Sequence, residues 1–344
     1  MQLGIQIEWA GKQLAVPIDK IKLAESLGFD SVWTGEAYGS DAITPLAYIA
    51  AHTNSIRLGS SIAQVAARAP TAAAMAFATL DQLAGGDRAI CGLGLSGPQV
   101  VEGWYGQPWS QPYHRLRDYV SIMKKVLHRE APVEHEGECI QVPLPGKFGK
   151  PLKSIMHTNA SLPIYLATGS EKMVELTAEV ADGWIPFGFE PDSLPAYEPA
   201  LRRGFEAAGR NADLSSNGFM IQAPVMTGMG DDVQAQIDRH KPMTALYVGG
   251  MGHRDKNFHK DRMVRAGFAE AAERIQELFL AGRREEAIAA VPDEFIDNGA
   301  LLGPKPRIIE KLQRWERSGA TGMTLTFASD ELMHVVAEYF QTVR

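Results

Sequence analysis

Two short stretches of small and apolar residues decide the architecture of this chain: residues 56–65, IRLGSSIAQV, and residues 91–97, CGLGLSG. Both are typical of short apolar strands that end in small polar residues, and a long helical segment follows each. Strands in this pattern lie parallel, and their carboxyl-terminal ends carry the site. Because small side chains let a flat ring or a phosphate approach the backbone closely, these strand ends predict a cofactor bed, and hence an enzyme.

The same alternation of strand and helix runs through the whole sequence, more regularly in the first half than in the second. Eight apolar strands, each followed by a helix, predict an α/β fold of the TIM (β/α)8 barrel type. The predicted strands cover residues 3–8, 30–35, 57–62, 88–95, 163–168, 183–187, 218–225 and 322–327. No Gly-x-Gly-x-x-Gly motif opens the first strand-helix turn, so a doubly wound sheet, the main alternative, lacks its fingerprint.

Two segments are longer than a simple connection between a strand and a helix. Residues 128–162 are rich in proline and glycine, with a predicted hairpin around 134–142, and residues 228–303 hold extra helices that include 267–281 and 284–290. We therefore expect a single barrel domain over 1–344 with insertions at about 128–162 and 228–303. Long insertions in a compact fold are usually functional.

Composition narrows the class of partner. The formal net charge is −7 and the basic residues are scattered, so no basic face for a nucleic acid is expected. No apolar run is long enough to cross a bilayer, and no signal-peptide pattern opens the sequence. Only two cysteines occur, Cys91 and Cys139, which fits a reducing compartment. We expect a cytoplasmic protein with a small-molecule substrate.

Neither metal nor hydrolase chemistry has support in the sequence. His253, Asp255 and His259 have a composition that resembles a metal site, but no further ligand is positioned to complete one and the run is polar. No Gly-x-Ser-x-Gly elbow and no Ser-His-Asp order occur. We expect no metal.

Several motifs, taken in order and spacing, carry a resemblance that covers essentially the whole chain. The chain resembles the bacterial luciferase-like superfamily and, within it, the coenzyme F-420 (deazaflavin)-dependent oxidoreductases near the methylene-tetrahydromethanopterin reductase branch. The motifs are residues 30–39 (DSVWTGEAYG), 58–64 (LGSSIAQ), 79–86 (TLDQLAGG), 93–97 (LGLSG) and 181–184 (ADGW), with support from 96–104 (SGPQVVEGW) and 245–252 (ALYVGGMG).

This resemblance implies a cofactor site. The third strand would end in a cis Ser61–Ile62 peptide bond that forms a bulge behind the central ring of the deazaflavin. Exposed amides at the start of the fifth helix would favour a cofactor phosphate at residues 168–170. The cofactor-binding residues implied are Ser60, Ser61, Ile62, Gln64, Ser96, Gly97, Thr168, Gly169, Ser170, Pro186 and Phe187.

The resemblance also implies where catalysis and substrate binding occur. Sugar-phosphate dehydrogenases of the superfamily carry His directly after the acidic residue of the second strand and Glu after the Gly of the fourth-strand turn, where this chain has Ala37 and Pro98. A sugar phosphate is therefore not expected. The catalytic candidates are Glu36, Glu8 and Glu102, with Tyr105 as a further proton donor, and the expected substrate pocket is lined by Trp9, Tyr38, Trp104 and Tyr105.

Purely structural interpretations stay open for these residues. Glu36 could cap a helix or pair with an arginine, and Ser60 and Ser61 could simply be tolerated at a barrel rim. The expected function is hydride transfer between F-420 and an apolar organic substrate. The alternatives are a flavin mononucleotide (FMN)-dependent monooxygenase and a non-catalytic flavin-binding protein. We also expect a homodimer.

Overall fold

Parallel strands form the centre of the fold in the computed structural model, which describes residues 1–7, 12–146, 148–214, 216–251, 254 and 257–343. The strands are β1 (Gln2–Gln6), β2 (Ser31–Thr34), β3 (Arg57–Ser60), β4 (Ala63–Gln64), β5 (Ala89–Gly94), β6 (His135–Glu136), β7 (Gln141–Val142), β8 (Ile164–Ala167), β9 (Gly183–Trp184), β10 (Met220–Met229), β11 (Leu301–Gly303) and β12 (Gly322–Thr326). Only β6 and β7 pair antiparallel within this described part of the chain.

The parallel strands close into an eight-position barrel in the order β1, β2, β3, β5, β8, β9, β10 and β12, with β12 pairing back to β1. The predicted TIM barrel is confirmed, and each of the eight predicted strands contributes to it. The ends of the strands differ from the prediction, most clearly at β9, which covers only Gly183–Trp184 of the predicted 183–187, and at the third strand and β10. The third strand stops at Ser60 and resumes as β4, which pairs with β5, and β10 continues to Met229 to pair with β11.

Helices cover the outside of the barrel, and their ends follow local signals such as Pro70 in the first turn of one helix and the side chain of Asn257 at the start of another. No helix in the described ranges is both long and apolar enough to cross a membrane. The helices are α1 (Ile18–Ser26), α2 (Ile43–Ala50), α3 (Pro70–Leu83), α4 (Pro98–Val101), α5 (Pro112–His128), α6 (Glu171–Val180), α7 (Leu194–Ala207), α8 (Val233–Gly250), α9 (Phe258–Arg265), α10 (Ala269–Leu280), α11 (Arg284–Ala289), α12 (Asp293–Asp297), α13 (Lys305–Glu316) and α14 (Asp330–Val343).

Large side chains fill the barrel interior because glycine on neighbouring strands leaves room for them. Trp33, Ile90, Tyr165 and Ile185 form one buried cluster there, and the rings of Trp33 and Tyr165 lie 6.1 Å apart. A Cβ atom added at Gly59 would lie 2.4 Å from the ring of Trp33. The larger apolar core lies between the outer face of the sheet and the helices, as expected for a parallel sheet covered on its outside.

The two long segments have their own structure. The predicted hairpin is confirmed as β6 and β7, and the main-chain N–H groups of Cys139 and Ile140 in its turn donate to Asp118 on α5. Residues 228–303 contain the end of β10, helices α8 to α12 and β11, and these helices pack around a second apolar cluster that includes Ile275 and Phe295. The organisation as one domain with two insertions stays a prediction.

Candidate active site

The carboxyl-terminal ends of β2, β3, β5 and β8 lie side by side at one end of the barrel, which we call the mouth. These strands are consecutive parallel neighbours. Main-chain hydrogen bonds join their ends, since Ser61 N–H donates to Thr34 O over 2.5 Å and Glu36 N–H donates to Ile62 O over 3.1 Å. Residues 36, 62, 96 and 168 come after the carboxyl-terminal ends of β2, β3, β5 and β8, so the parallel pairing puts them at this end of the barrel. Their roles in a site stay a prediction.

The third strand ends in a bulge at this mouth. The Ser61–Ile62 peptide bond is cis, as the resemblance implied, and β4 then rejoins the sheet beside β5. The Ser60 side chain is fully buried below the bulge. Its hydroxyl donates to Gly92 O over 2.7 Å and accepts from Gly92 N–H over 3.0 Å. The geometry at Ser60 thus favours the structural interpretation, while the cofactor contact predicted for it stays a prediction.

Two glycines on β5 make room for the bulge. A Cβ atom added at Gly92 would lie 1.8 Å from the carbonyl oxygen of Ser60, and one added at Gly94 would lie 2.7 Å from the side chain of Ile62. Real Cβ atoms do not approach other atoms this closely, so only glycine permits this path of the third strand beside β5.

Glu36 does not stand free at the mouth. Its Oε2 accepts hydrogen bonds from Gln64 N–H over 2.7 Å and from Arg68 Nη1 over 2.9 Å, and its Oε1 accepts from Arg68 Nη2 over 2.6 Å. Burial opposes the charge of Arg68, but the hydrogen bonds and charge of Glu36 outweigh it and raise the pKa of Arg68. Sequence reasoning did not single out Arg68, although it named pairing of Glu36 with an arginine as one of two structural alternatives to a functional role.

The other proton-donor candidates differ in how far they are engaged. Glu102 is exposed at the end of α4, and its Oε1 accepts from Trp109 N–H over 3.1 Å. Tyr105 donates its phenol hydrogen to Ala37 O over 2.9 Å, and burial raises the pKa of Tyr105. The predicted site residues Glu8 and Trp9 lie outside the described residues.

The turn between β8 and α6 is open, as a phosphate site requires. Gly169 and Ser170 are exposed, and a Cβ atom added at Gly169 would meet no atom within 4 Å. Ser170 precedes the first turn of α6, and no side chain caps that turn. Thr168, in contrast, is buried; its hydroxyl pairs with that of Thr177, so only its neighbours are free to bind an anion.

Exposed aromatic side chains surround the mouth. Each follows a different strand, namely β2, β5, β9 and β12, and each keeps half or more of its surface accessible. They are Tyr38 (55%), Trp104 (64%), Phe187 (50%) and Phe327 (51%). Large exposed apolar side chains that follow strand ends are candidates to bind an apolar ligand. The sequence reasoning found three of them and missed Phe327.

Helices α8 and α9 form one wall of the mouth. The ring of Phe187 lies 5.6 Å from that of Tyr247 on α8 and 4.6 Å from that of His259 on α9. Arg262 donates through Nε to Gly188 O over 3.1 Å and pairs with Glu190 over 3.3 Å, which fastens α9 to the segment after β9. The sequence predicted extra helices and a functional insertion over 228–303, but it did not place them at the mouth.

His259 makes part of the stability depend on pH. Burial, together with the charge of Arg262, lowers the pKa of His259 from 6.5 to about 4. The unfolded chain therefore takes up this proton below pH 6.5 while the folded chain does not, so stability falls as the pH drops towards 4, by up to about 3 kcal/mol.

We expect His259→Phe to remove this share of the pH dependence in urea unfolding at pH 7 and pH 4.5. His52→Phe, at an exposed position, is the control and should lose as much stability between the two pH values as the wild type does. The same loss in His259→Phe would contradict the assignment.

Among the residues that the structure describes, several buried polar atoms have no hydrogen-bond partner. The Gln64 side chain is 1% exposed and its Oε1 accepts nothing. His240, whose ring lies 5.7 Å from that of Phe327, leaves Nε2 unpaired. Further unpaired atoms are Ser40 Oγ, Trp109 Nε1 and Arg115 Nε. Buried polar groups are nearly always paired, so these atoms are candidates for contact with a polar ligand.

The chain is a TIM barrel, and a glycine-lined bulge and exposed aromatic side chains lie at the carboxyl-terminal ends of its strands. Enzymes of this fold carry their active sites at that end, so the chain is placed among them. His253 and Asp255 lie outside the described residues, and within the ranges that are described no group of three His, Cys, Asp or Glu side chains could hold a metal.

Comparison with known proteins identifies the family. The luciferase-like monooxygenase family matches residues 10–322, and the chain belongs to it. A protein of Mycobacterium tuberculosis, named provisionally as a coenzyme F420-dependent oxidoreductase, is 41% identical over 98% of both chains. The 5,10-methylenetetrahydromethanopterin reductase of Archaeoglobus fulgidus is 26% identical over 88% of this chain and 86% of its own.

Solved structures agree on the fold. The coenzyme F420-dependent tetrahydromethanopterin reductase of Methanopyrus kandleri superposes with a TM-score of 0.79 at 23% identity, covering 98% of this chain and 97% of its own. An F420-dependent secondary alcohol dehydrogenase superposes with a TM-score of 0.75 at 17% identity, covering 100% and 99%. The resemblance to the luciferase-like superfamily and its F-420 branch is confirmed.

Proposed function

We propose that the protein is an oxidoreductase that transfers a hydride between coenzyme F-420 and an apolar organic substrate. The observation that carries the proposal is the bed formed by residues 60–64 beside Gly92 and Gly94, in a chain that is 41% identical over its length to a relative named for F-420. When bound, a deazaflavin supplies a ring carbon that accepts or releases hydride.

The residues at the mouth fit this cofactor. The bulge offers main chain rather than bulky side chains to a flat ring, and the buried Gln64 Oε1 is an unpaired acceptor for an N–H group of that ring. The amides of Gly169 and Ser170 at the start of α6 would bind the phosphate. The turn at Ser96 and Gly97 would border the ring on the β5 side, with residues 186–187 on the β9 side.

The substrate would bind against the aromatic rim and the wall of α8 and α9. The accessible faces of Tyr38, Trp104 and Phe187 suit a planar or apolar molecule. His259 stays neutral near pH 7 because burial lowers its pKa, so this wall adds no positive imidazole. A strongly anionic substrate such as a sugar phosphate has no partner in this set.

Glu102 is our candidate for the proton donor. It is exposed beside the mouth, and its Oε2 accepts no hydrogen bond from any residue that the structure describes. Glu8 and Tyr105 stay candidates. The acid role predicted for Glu36 competes with its role as the partner of Arg68, and the Glu36→Gln variant distinguishes the two.

A titration separates the proposed function from its alternatives. We expect the purified wild type to bind F-420 at least tenfold more tightly than FMN, a difference of about 1.4 kcal/mol, and to show no oxygen-consuming reaction with reduced F-420. Tighter binding of FMN with oxygen uptake would support the monooxygenase alternative. Tight cofactor binding without turnover across a panel of ketones, alcohols and quinones would support a non-catalytic flavin-binding protein.

We also propose a cytoplasmic homodimer without nucleic-acid or membrane partners. Free Cys91 and Cys139 fit a reducing compartment, and the net charge of −7 disfavours nucleic acid. The exposed apolar side chains of Phe148, Leu152 and Ile155 suit a contact with a second copy. Light scattering on the purified protein tests this, since a mass near 37.5 kDa would contradict the dimer.

A further inference from the structure

Glu36 and Arg68 join the two segments that bracket the bulge. Glu36 follows β2, and Arg68 follows the short helical turn Val65–Ala67 after β4. Their side chains are 5% and 20% exposed and meet through two parallel hydrogen bonds. Such a fork-to-carboxylate pair is the strongest and most directional ion pair available to side chains.

The same carboxylate also holds the main chain of the bed. Glu36 Oε2 accepts from Gln64 N–H, two residues beyond the cis bond, and Glu36 N–H donates to Ile62 O. Arg68 is fixed in turn at its carbonyl, which accepts from the Tyr119 hydroxyl over 3.1 Å. Both main-chain sides of the bulge are therefore tied to one buried pair.

We propose that Arg68 and Glu36 are positioning residues that hold the 61–64 bulge in its binding shape before the cofactor arrives. This inference rests on the proposed function for the identity of the cofactor. It assigns Glu36 an acceptor role, because three donors already occupy its two oxygens and each of these hydrogen bonds helps to shape the bed.

Arginine substitutions test the pair directly. Arg68→Lys keeps the positive charge but loses the two parallel hydrogen bonds of the guanidinium, so fluorescence titration should show F-420 affinity falling by about tenfold. Arg68→Gln loses both the charge and these hydrogen bonds, and its affinity should fall by about a hundredfold. Arg117→Lys is the matched control, because Arg117 and Glu179 form a similar partly buried pair between α5 and α6. It should bind F-420 like the wild type.

The Glu36→Gln variant separates positioning from acid catalysis. If the pair positions the bed, F-420 affinity falls by about tenfold or more while turnover at saturating F-420 stays within a few-fold. If Glu36 is the acid, affinity is unchanged and kcat falls about 10²–10⁴-fold, which would overturn the inference. Unchanged affinity in a folded Arg68→Gln would also overturn it.

Hydrogen exchange of the wild-type protein tests whether the bulge has its binding shape before the cofactor binds. The main-chain amides of Ser61 and Gln64 should be protected from hydrogen exchange in the free protein and gain little protection when F-420 binds. Rapid exchange in the free protein, with protection only after binding, would show that the pair does not form the bed in advance. Should the wild type bind FMN rather than F-420, the proposed function fails, and the same variants titrated with FMN still decide the role of the pair.

Discussion

We expect Gly92→Ala to weaken cofactor binding strongly and to destabilise the fold. The new Cβ atom would lie 1.8 Å from the carbonyl oxygen of Ser60, and because that atom belongs to the main chain, no side-chain rotation relieves the contact. β3 and β5 must separate, which breaks both hydrogen bonds of the Ser60 hydroxyl. We expect a loss of about 3 kcal/mol in the free energy of unfolding and at least about a hundredfold weaker F-420 binding.

The matched control is Gly149→Ala. Gly149 is exposed, and its added Cβ atom would meet only the Pro143 ring, at an ordinary contact distance of 3.6 Å. Denaturant unfolding and F-420 titration of both variants make the comparison. Wild-type affinity in a Gly92→Ala protein would mean that the cofactor does not use the bulge.

Arg262→Ala has the second large expected effect, because it opens the wall of the mouth. The guanidinium lies 4.5 Å from the centroid of the Phe295 ring and 5.9 Å from that of Phe187, and it pairs with Glu190. Burial raises the pKa of Glu190, while Arg262 counteracts that rise. Removing the arginine leaves a mostly buried carboxyl without its partner, so we expect a cost of about 3 kcal/mol.

Arg203→Ala is the control for this substitution. Arg203 pairs with Glu171 and Glu175 on the outer surface of the barrel, where solvent screens the charges, so its thermal midpoint should stay near that of the wild type. Arg262→Ala should also weaken substrate binding more than F-420 binding, since α9 carries the substrate wall. Thermal midpoints that fall equally in the two variants would contradict the role given to Arg262.

Much of the fold follows from local sequence patterns. Strand-helix alternation, proline at helix starts and glycine at helix ends are read over ten to twenty residues, and they predicted eight strands that the barrel contains. The hairpin at β6 and β7 was found in the same way. The end of the third strand was not, because the path of residues 60–64 depends on the space left by Gly92 and Gly94 on another strand.

The sequence by itself determined the barrel and the small residues at the ends of its strands, because these follow from periodicity and composition. The residues of the bed and the rim were implied by the resemblance to the family. Only the tertiary structure decided what those residues contact. Glu36 and Arg68 are 32 positions apart, and Phe187 meets Tyr247 and His259 across 60 and 72 positions. A carboxylate at a strand end has the same sequence signal whether it is a free acid or is bound by an arginine. Its partner depends on how distant segments pack, which a local pattern does not contain.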